Sequence, residues 1–168
     1  VTAQARGIKL DFDLMQELAI VANTMEVLCD DKEEMESIAL QFLATTRNAF
    51  FIGRSVDYYV GLEGSLKLKE ISYIHCDAYA GGELKHGPIA LIDKGTAVIT
   101  LLTQEALKDK MVSNVREVST RGGNIFAVVN EGDTTSKEVV DSLVYIPKTI
   151  DLLTPMISVV PLQLISYY

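Results

Sequence analysis

Short apolar segments that alternate with amphipathic helices constrain the fold of this chain most. The clearest lie at 49–53, 97–102, 124–129 and 143–146, and most of the longer stretches between them carry apolar side chains at helical spacing. A continuous apolar run of this length is typical of a strand that is buried on both faces. Strands joined through helices imply right-handed crossovers and a parallel sheet covered on both sides. The sequence therefore predicts an α/β fold, a three-layer αβα sandwich.

The remaining elements follow from local spacing and from cap residues. Asp11 or Asp13 can cap the first helix, Thr103 can cap the fourth long helix, and Gly122-Gly123 can end it. A further short strand is predicted near 76–79. Long helices are predicted at 10–28, 32–44, 57–73, 103–121 and from 154 onward, and short ones near 83–92 and 136–141.

Composition excludes several classes of function. The length of 168 residues suits one compact domain. A net charge of −8 without a cluster of Lys or Arg argues against binding to nucleic acid or to an anionic membrane. No run of about 18 apolar residues could span a bilayer. The two cysteines, Cys29 and Cys76, lack CxxC spacing and predict reduced thiols in a cytoplasmic protein.

The helix predicted at 57–73 carries charge on an otherwise apolar surface. Glu63, Lys67 and Glu70 fall on one narrow stripe at 100° per residue, and Gly61 and Gly64 allow another backbone to approach closely. One interpretation is a surface ladder of i,i+4 and i,i+3 ion pairs. The other is a carboxylate general base beside an ammonium that tunes its charge. The spacing alone leaves both open.

The loop after this helix contains both histidines of the chain. His75, Cys76, Asp77, Glu83 and His86 lie within twelve residues, but no HxxxH pair or recognised Cys/His spacing is present, so no metal site is predicted. The Gly-Pro that follows His86 predicts a rigid turn that can present the imidazole outward. From the residues alone, however, a hydrogen-bonded structural role is the favoured interpretation of His86, and outward presentation is the alternative.

The turn after the first strand is Gly53-Arg54-Ser55. It could form a small anion nest from backbone N–H groups. It lacks a second glycine at phosphate-loop spacing and a cluster of hydroxyls, so we interpret it as a strand-to-helix turn.

Two segments carry a resemblance to a known family. LEGSLKLKEISYIHCDAYAGGELKHGP (62–88) and VPLQLISYY (160–168) closely resemble the isomerase part of the glutamine–fructose-6-phosphate aminotransferase family. The similarity is collinear over nearly the whole chain. That isomerase part contains two sugar isomerase (SIS) domains, and this chain resembles the second. The resemblance implies a flavodoxin-like, five-stranded parallel sheet in a single SIS domain over 1–168, with N-terminal helices at about 1–46 packing on it.

The resemblance also implies roles for four residues. Glu70 matches the base that moves a proton between C1 and C2 of the open-chain sugar imine. Lys67 matches the lysine that assists this base. His86 matches the histidine associated with ring opening, which in the family reaches the active site of the partner subunit. Glu63 would orient these groups. No metal or organic cofactor is implied, since the imine itself acidifies the C–H bond.

The family's activity is the synthesis of glucosamine-6-phosphate from fructose-6-phosphate and glutamine-derived ammonia, the first step of hexosamine biosynthesis. Its members are cytoplasmic homodimers that associate through their SIS domains. The chain is expected to be a fragment, because both of its ends look cut. It would lack the glutaminase domain, the first SIS domain with its phosphate-binding loops, and the tail that carries the Schiff-base lysine. Such a fragment would be inactive alone.

Two other functions remain compatible with such a domain. One is a non-catalytic sugar-phosphate sensor, which would need a hydroxyl-rich phosphate loop of its own. The other is a related isomerase or deglycase that acts on another amino-sugar or fructosamine phosphate. Binding of fructose-6-phosphate by the chain alone would favour the sensor, and glutamine-dependent product formation by the whole protein would separate the two enzymes.

Overall fold

The computed structural model describes residues 5–168. Strands and helices alternate along most of the chain, and short 3₁₀ turns follow β2, β3 and β4. The strands are β1 (Asn48–Gly53), β2 (His75–Ala80), β3 (Ala97–Leu102), β4 (Asn124–Asn130) and β5 (Ser142–Ile146). The helices are α1 (Leu14–Asp30), α2 (Lys32–Phe42), α3 (Val56–Ile71), α4 (Lys108–Thr120) and α5 (Thr154–Tyr167).

The strands form one sheet in the order β2-β1-β3-β4-β5, and every pairing is parallel. The chain steps from β1 to β2 on one side and then returns to β3 on the other. In sheets with this order, ligands bind where the direction of winding changes, between the carboxyl ends of β1 and β3. The predicted flavodoxin-like, five-stranded αβα sandwich is confirmed.

Two apolar layers cover the sheet because neighbouring strand residues point to opposite faces. Phe51 packs in the layer that contains α1, α2, α3 and α5, whereas Phe50 packs in the layer that contains α4. The segment between β2 and β3 joins the α4 layer through Leu84 and Ile92. The segments that precede and follow β2 thus pack on opposite faces of the sheet.

Close packing of α3 against α5 depends on a glycine. A Cβ atom on Gly64 would lie 2.7 Å from Cδ1 of Leu162 and 2.8 Å from Cε1 of Phe51. The prediction that Gly61 and Gly64 admit another backbone is therefore not met as stated: side chains fill the space at Gly64, and the contacts at Gly61 are ordinary ones with side chains. The contact holds α3 between the sheet and α5, which leaves the stripe of charges on the outer side of the helix.

Local signals predicted the helix ends well at some positions and poorly at others. Oδ1 of Asp13 accepts hydrogen bonds from the amides of Met15 and Gln16 at 3.0 and 3.2 Å, which confirms this cap for α1. Gly122 follows α4 with a φ of +88°, as a C-terminal glycine should. The predicted Thr103 cap is wrong. The hydroxyl of Thr103 donates to a buried carboxylate on α3, a 3₁₀ turn follows at Glu105–Leu107, and α4 begins only at Lys108.

The two short helices predicted from sequence are 3₁₀ turns. The first prediction corresponds to Leu84–His86 and Pro88–Leu91, and the second to Ser136–Glu138. Pieces of this length close with i→i+3 bonds, which spacing arguments do not distinguish from one turn of α-helix. The helical region predicted for residues 1–46 is described from residue 5 onward, and residues 1–4 lie outside the described part of the chain.

Candidate functional site

The predicted charged stripe is present on the outer side of α3. Nζ of Lys67 lies 2.8 Å from Oε2 of Glu70 and 3.8 Å from Oε1 of Glu63. The shorter contact is a charge-assisted hydrogen bond that fixes both side chains, and the longer one is a looser ion pair. The helix therefore brings together the three residues that sequence analysis placed on one stripe.

These three side chains are accessible. The exposed fractions are 53% for Glu70, 42% for Glu63 and 28% for Lys67. The hydrogen bond to Glu70 raises the pKa of Lys67, so the ammonium remains charged at neutral pH. Within this chain the stripe has the form of a solvent-accessible ion-pair ladder, and the general-base role of Glu70 stays a prediction.

An apolar surface borders the stripe. Tyr59, Leu62 and Leu66 on α3 are exposed, as is Met156 on α5. A shallow hollow of about 340 Å³ lies between the two helices, and Glu63 is its charged member. The hollow is lined by Val56, Tyr59, Val60, Glu63, Pro155, Met156 and Val159. Large exposed apolar side chains that flank paired charges are typical of an interaction surface.

His86 lies in a different part of the molecule. It closes the first 3₁₀ turn after β2, and its amide donates to the carbonyl of Glu83 at 3.0 Å. Its side chain is exposed, which favours outward presentation over the structural role that the residues alone favoured. Leu84 anchors this turn in the α4 layer, whereas the inner side of α3 packs in the other layer. One copy of the chain therefore does not bring His86 and Glu70 together across a common cavity.

The residues considered for a metal site do not converge. Cys76 is buried, its thiol donates to the carbonyl of Ser65 at 3.1 Å, and burial raises its pKa to about 11. His75, the preceding residue, is exposed. Within residues 5–168, no group of three or more His, Cys, Asp or Glu side chains is arranged to hold a metal ion.

A buried polar network at the carboxyl edge of the sheet was missed by sequence reasoning. Asp57, in the first turn of α3, is 3% exposed. Its carboxylate accepts a hydrogen bond from the amide of Thr103 at 2.9 Å and another from the hydroxyl of Thr103. Burial raises the pKa of Asp57, although the hydrogen bonds from Thr103 act in the opposite direction. Nδ2 of Asn130 donates to the carbonyl of Thr103 at 2.8 Å and extends the network to β4.

A second buried carboxylate lies beyond β4. Oδ2 of Asp133 is 2.8 Å from Nζ of Lys108, and the carboxylate also accepts from the amide and the hydroxyl of Ser136. Burial alone would raise the pKa of Asp133, but the bonds from Lys108 and Ser136 outweigh it and lower the pKa. A carboxylate a few residues after the end of a strand was the available signal for both sites, because the carboxyl ends of parallel strands share one edge.

Comparison with known proteins identifies the class of this fold. Residues 42–168 match the family model described as SIS domain. Because the match covers most of the chain, this chain belongs to the SIS domain family. Among the described residues, no helix combines the length and the apolar character that crossing a bilayer requires.

The chain is similar to particular members of this class over its whole length. It is 57% identical to glutamine–fructose-6-phosphate aminotransferase [isomerizing] of Bacillus thuringiensis subsp. konkukian, over 99% of the chain and 27% of the relative. The protein of the same name from Geobacillus kaustophilus is 58% identical with the same coverage. The chain thus spans about a quarter (27%) of the length of these relatives.

A solved structure agrees with both findings. The C-terminal domain of glucosamine-fructose-6-phosphate aminotransferase from Francisella tularensis superposes with a TM-score of 0.81 at 35% identity. The match covers 90% of this chain and 43% of that chain. The resemblance stated from the sequence segments is confirmed, as is the SIS fold.

Proposed function

We propose that this chain provides one part of an isomerase site in an enzyme that makes glucosamine-6-phosphate from fructose-6-phosphate and glutamine-derived ammonia. The names of relatives at 57% and 58% identity support this activity. The observation that carries the proposal is the hydrogen-bonded pair of Lys67 and Glu70 on an accessible face with an apolar border. In the complete protein this chain is one SIS domain among others.

Glu70 is the base in this proposal. Its carboxylate takes a proton from C1 of the open-chain sugar imine and returns one to C2, or the reverse, which interconverts ketose and aldose derivatives. Lys67 holds the carboxylate of Glu70 in place through the charge-assisted hydrogen bond of 2.8 Å between them. Glu63 shares the same ammonium and orients it. Proton transfer by a positioned group typically accelerates a reaction by about 10²- to 10⁴-fold.

The complete site requires a second protein surface. A further SIS domain that covers Tyr59, Leu62 and Leu66 would bury the apolar border and supply the phosphate-binding groups. His86 would act in ring opening at the site of a partner subunit, because the segment that carries it packs, through Leu84, on the opposite face of the sheet from α3. We therefore propose a homodimer that associates through SIS domains, in the cytoplasm, where two unpaired thiols are stable.

The test is Glu70→Gln in the intact protein, which keeps the shape of the side chain and removes its basicity. We expect glucosamine-6-phosphate formation to fall by about 10²-fold or more while the far-UV circular dichroism stays unchanged. Glu36→Gln, at an exposed position on α2, is the matched control and should retain full activity. Normal isomerisation by Glu70→Gln would remove Glu70 from the mechanism.

A binding measurement separates the enzyme from the sensor. Calorimetric titration of this chain alone with fructose-6-phosphate should show no tight binding, because the proposed site is incomplete in one domain. Tight binding that survives Glu70→Gln would favour a sugar-phosphate sensor.

A further inference from the structure

Arg54 makes a contact that the proposed function does not use. It follows β1 directly, and no carboxylate lies within 4.0 Å of its guanidinium in the part of the chain that the structure describes. Instead, Nε and Nη2 both donate to Oδ1 of Asn114, at 3.2 and 2.8 Å. Asn114 lies on α4 and is only 5% exposed. Two donors on one buried oxygen fix the plane of the guanidinium.

The turn after β2 rests on this pair. A Cβ atom on Gly82 would lie 3.2 Å from Nη2 of Arg54, and one on Gly81 would lie 3.0 Å from Oδ1 of Asn114. The amide of Gly81 also donates to the carbonyl of Gly53 at 2.8 Å. The Gly81–Gly82 turn therefore lies against the Arg54–Asn114 pair, and a Cβ atom on Gly82 would require the guanidinium to shift by a few tenths of an ångström.

The backbone beside Arg54 is strained. Ser55 has a φ of +54°, which non-glycine residues rarely adopt, and a Cβ atom on Gly53 would lie 2.6 Å from the carbonyl carbon of Asp57. The turn from β1 to α3 is thus tight, and it sets the direction in which the Arg54 side chain leaves the sheet. Strain of this kind persists only where surrounding contacts hold it, and it is common near functional groups.

We propose that Arg54 is a positioning residue for the segment that carries His86. From the Gly81–Gly82 turn, the amide of Glu83 donates to the carbonyl of Ala80 at 2.7 Å, and the amide of His86 donates to the carbonyl of Glu83 at 3.0 Å. A displacement of the turn is therefore passed to His86 through two consecutive hydrogen bonds. The consequence for catalysis rests on the proposed function of His86, whereas the consequence for the loop does not.

The first measurement is amide hydrogen exchange in the intact protein. Arg54→Met keeps the apolar stem and removes both donors, so exchange at Glu83 and His86 should rise about tenfold. Exchange within β4 should stay unchanged, which shows that the fold is intact. Arg116→Met, at an exposed position on α4, is the matched control. Gly82→Ala disturbs the same contact from the side of the loop, so it should raise amide exchange at Glu83 and His86 by a similar factor.

The second measurement is a double-mutant cycle on glucosamine-6-phosphate formation. Arg54→Met should lower kcat by about 10- to 100-fold with KM within about twofold, because a small misplacement of a reacting group is costly. When Arg54→Met is combined with His86→Ala, kcat should fall no further than in His86→Ala alone, because the effects of two residues that act through one group are not additive. Arg54→Lys should fail to restore activity, because an ammonium cannot make the forked contact.

The outcomes separate the two proposals. Unchanged exchange at Glu83 and His86 in both Arg54→Met and Gly82→Ala would overturn the role of Arg54, as would additive losses in the double variant. Full activity of His86→Ala would overturn the proposed function of His86, and the exchange result for Arg54 would still stand on its own.

Discussion

The carboxylates of this domain occupy two contrasting environments. At the carboxyl edge of the sheet, Asp57 and Asp133 are buried and accept hydrogen bonds from backbone and side-chain donors. On the outer side of α3, Glu63 and Glu70 share one lysine and remain open to solvent. The first pair is thus placed by tertiary structure and the second by the periodicity of one helix.

The difference indicates which charges the fold needs. Burying an ionised carboxylate is costly unless donors replace water, and both Asp57 and Asp133 lie where such donors converge. Exposed i,i+3 and i,i+4 pairs contribute a few tenths of a kcal/mol each, so the stripe on α3 is not required for stability. Charged residues that the fold does not need, beside an exposed apolar surface, are candidates for function.

The largest expected effect is on the Asp133–Lys108 pair. Asp133→Ala leaves a mostly buried ammonium without its close partner and removes the acceptor for Ser136, so the free energy of unfolding should fall by about 3 kcal/mol. Urea denaturation followed by circular dichroism measures it. Asp30→Ala, at an exposed position on α1, should change stability by less than about 0.5 kcal/mol. Equal losses in the two variants would contradict the contrast between buried and exposed carboxylates.

A smaller effect concerns pH, where the two buried carboxylates act with opposite sign. The folded-state pKa of Asp133 lies below its ordinary value of 3.8, so its contribution is present above that pH and is lost as pH falls through the folded pKa. The folded-state pKa of Asp57 lies above 3.8, so its contribution is present below that pH and is lost as pH rises through the folded pKa.

Stability measured by urea denaturation across about pH 3 to 7 tests these signs. Asp133→Asn should lose part of the acid sensitivity of the parent protein. Asp57→Asn should show a smaller decline of the free energy of unfolding as pH rises. The amide oxygen of the asparagine can still accept hydrogen bonds from Thr103. The same direction of change in both variants would contradict the assignment.

The smallest expected effect is on the stripe itself. Lys67→Ala should leave the free energy of unfolding nearly unchanged, because its ion pairs are accessible to water. Under the proposed function it should nevertheless impair glucosamine-6-phosphate formation by the intact protein. A loss of stability in Lys67→Ala as large as that in Asp133→Ala would instead mark the stripe as structural.

Sequence reasoning succeeded where the signal is local. Apolar runs located the strands within about one residue, and Asp13 was one of two predicted caps for α1. It failed at Thr103, where a good cap residue follows a strand. The hydroxyl of Thr103 instead donates a hydrogen bond to Asp57, which lies 46 residues earlier in the chain. A non-local hydrogen bond of this kind has no trace in periodicity.

Local periodicity was enough to predict the αβα layers and the stripe of Glu63, Lys67 and Glu70, because strand and helix periods act over a few residues. Contacts between distant segments bury Asp57 and bring Arg54 to an amide 60 residues away, and neither relation could be predicted from local spacing. The segments carrying Glu70 and His86 likewise pack on opposite faces of the sheet. These contacts and placements depend on the order of the strands and on the turns that precede and follow β2. Such features bring together groups that are far apart along the chain, and no local sequence pattern predicts them.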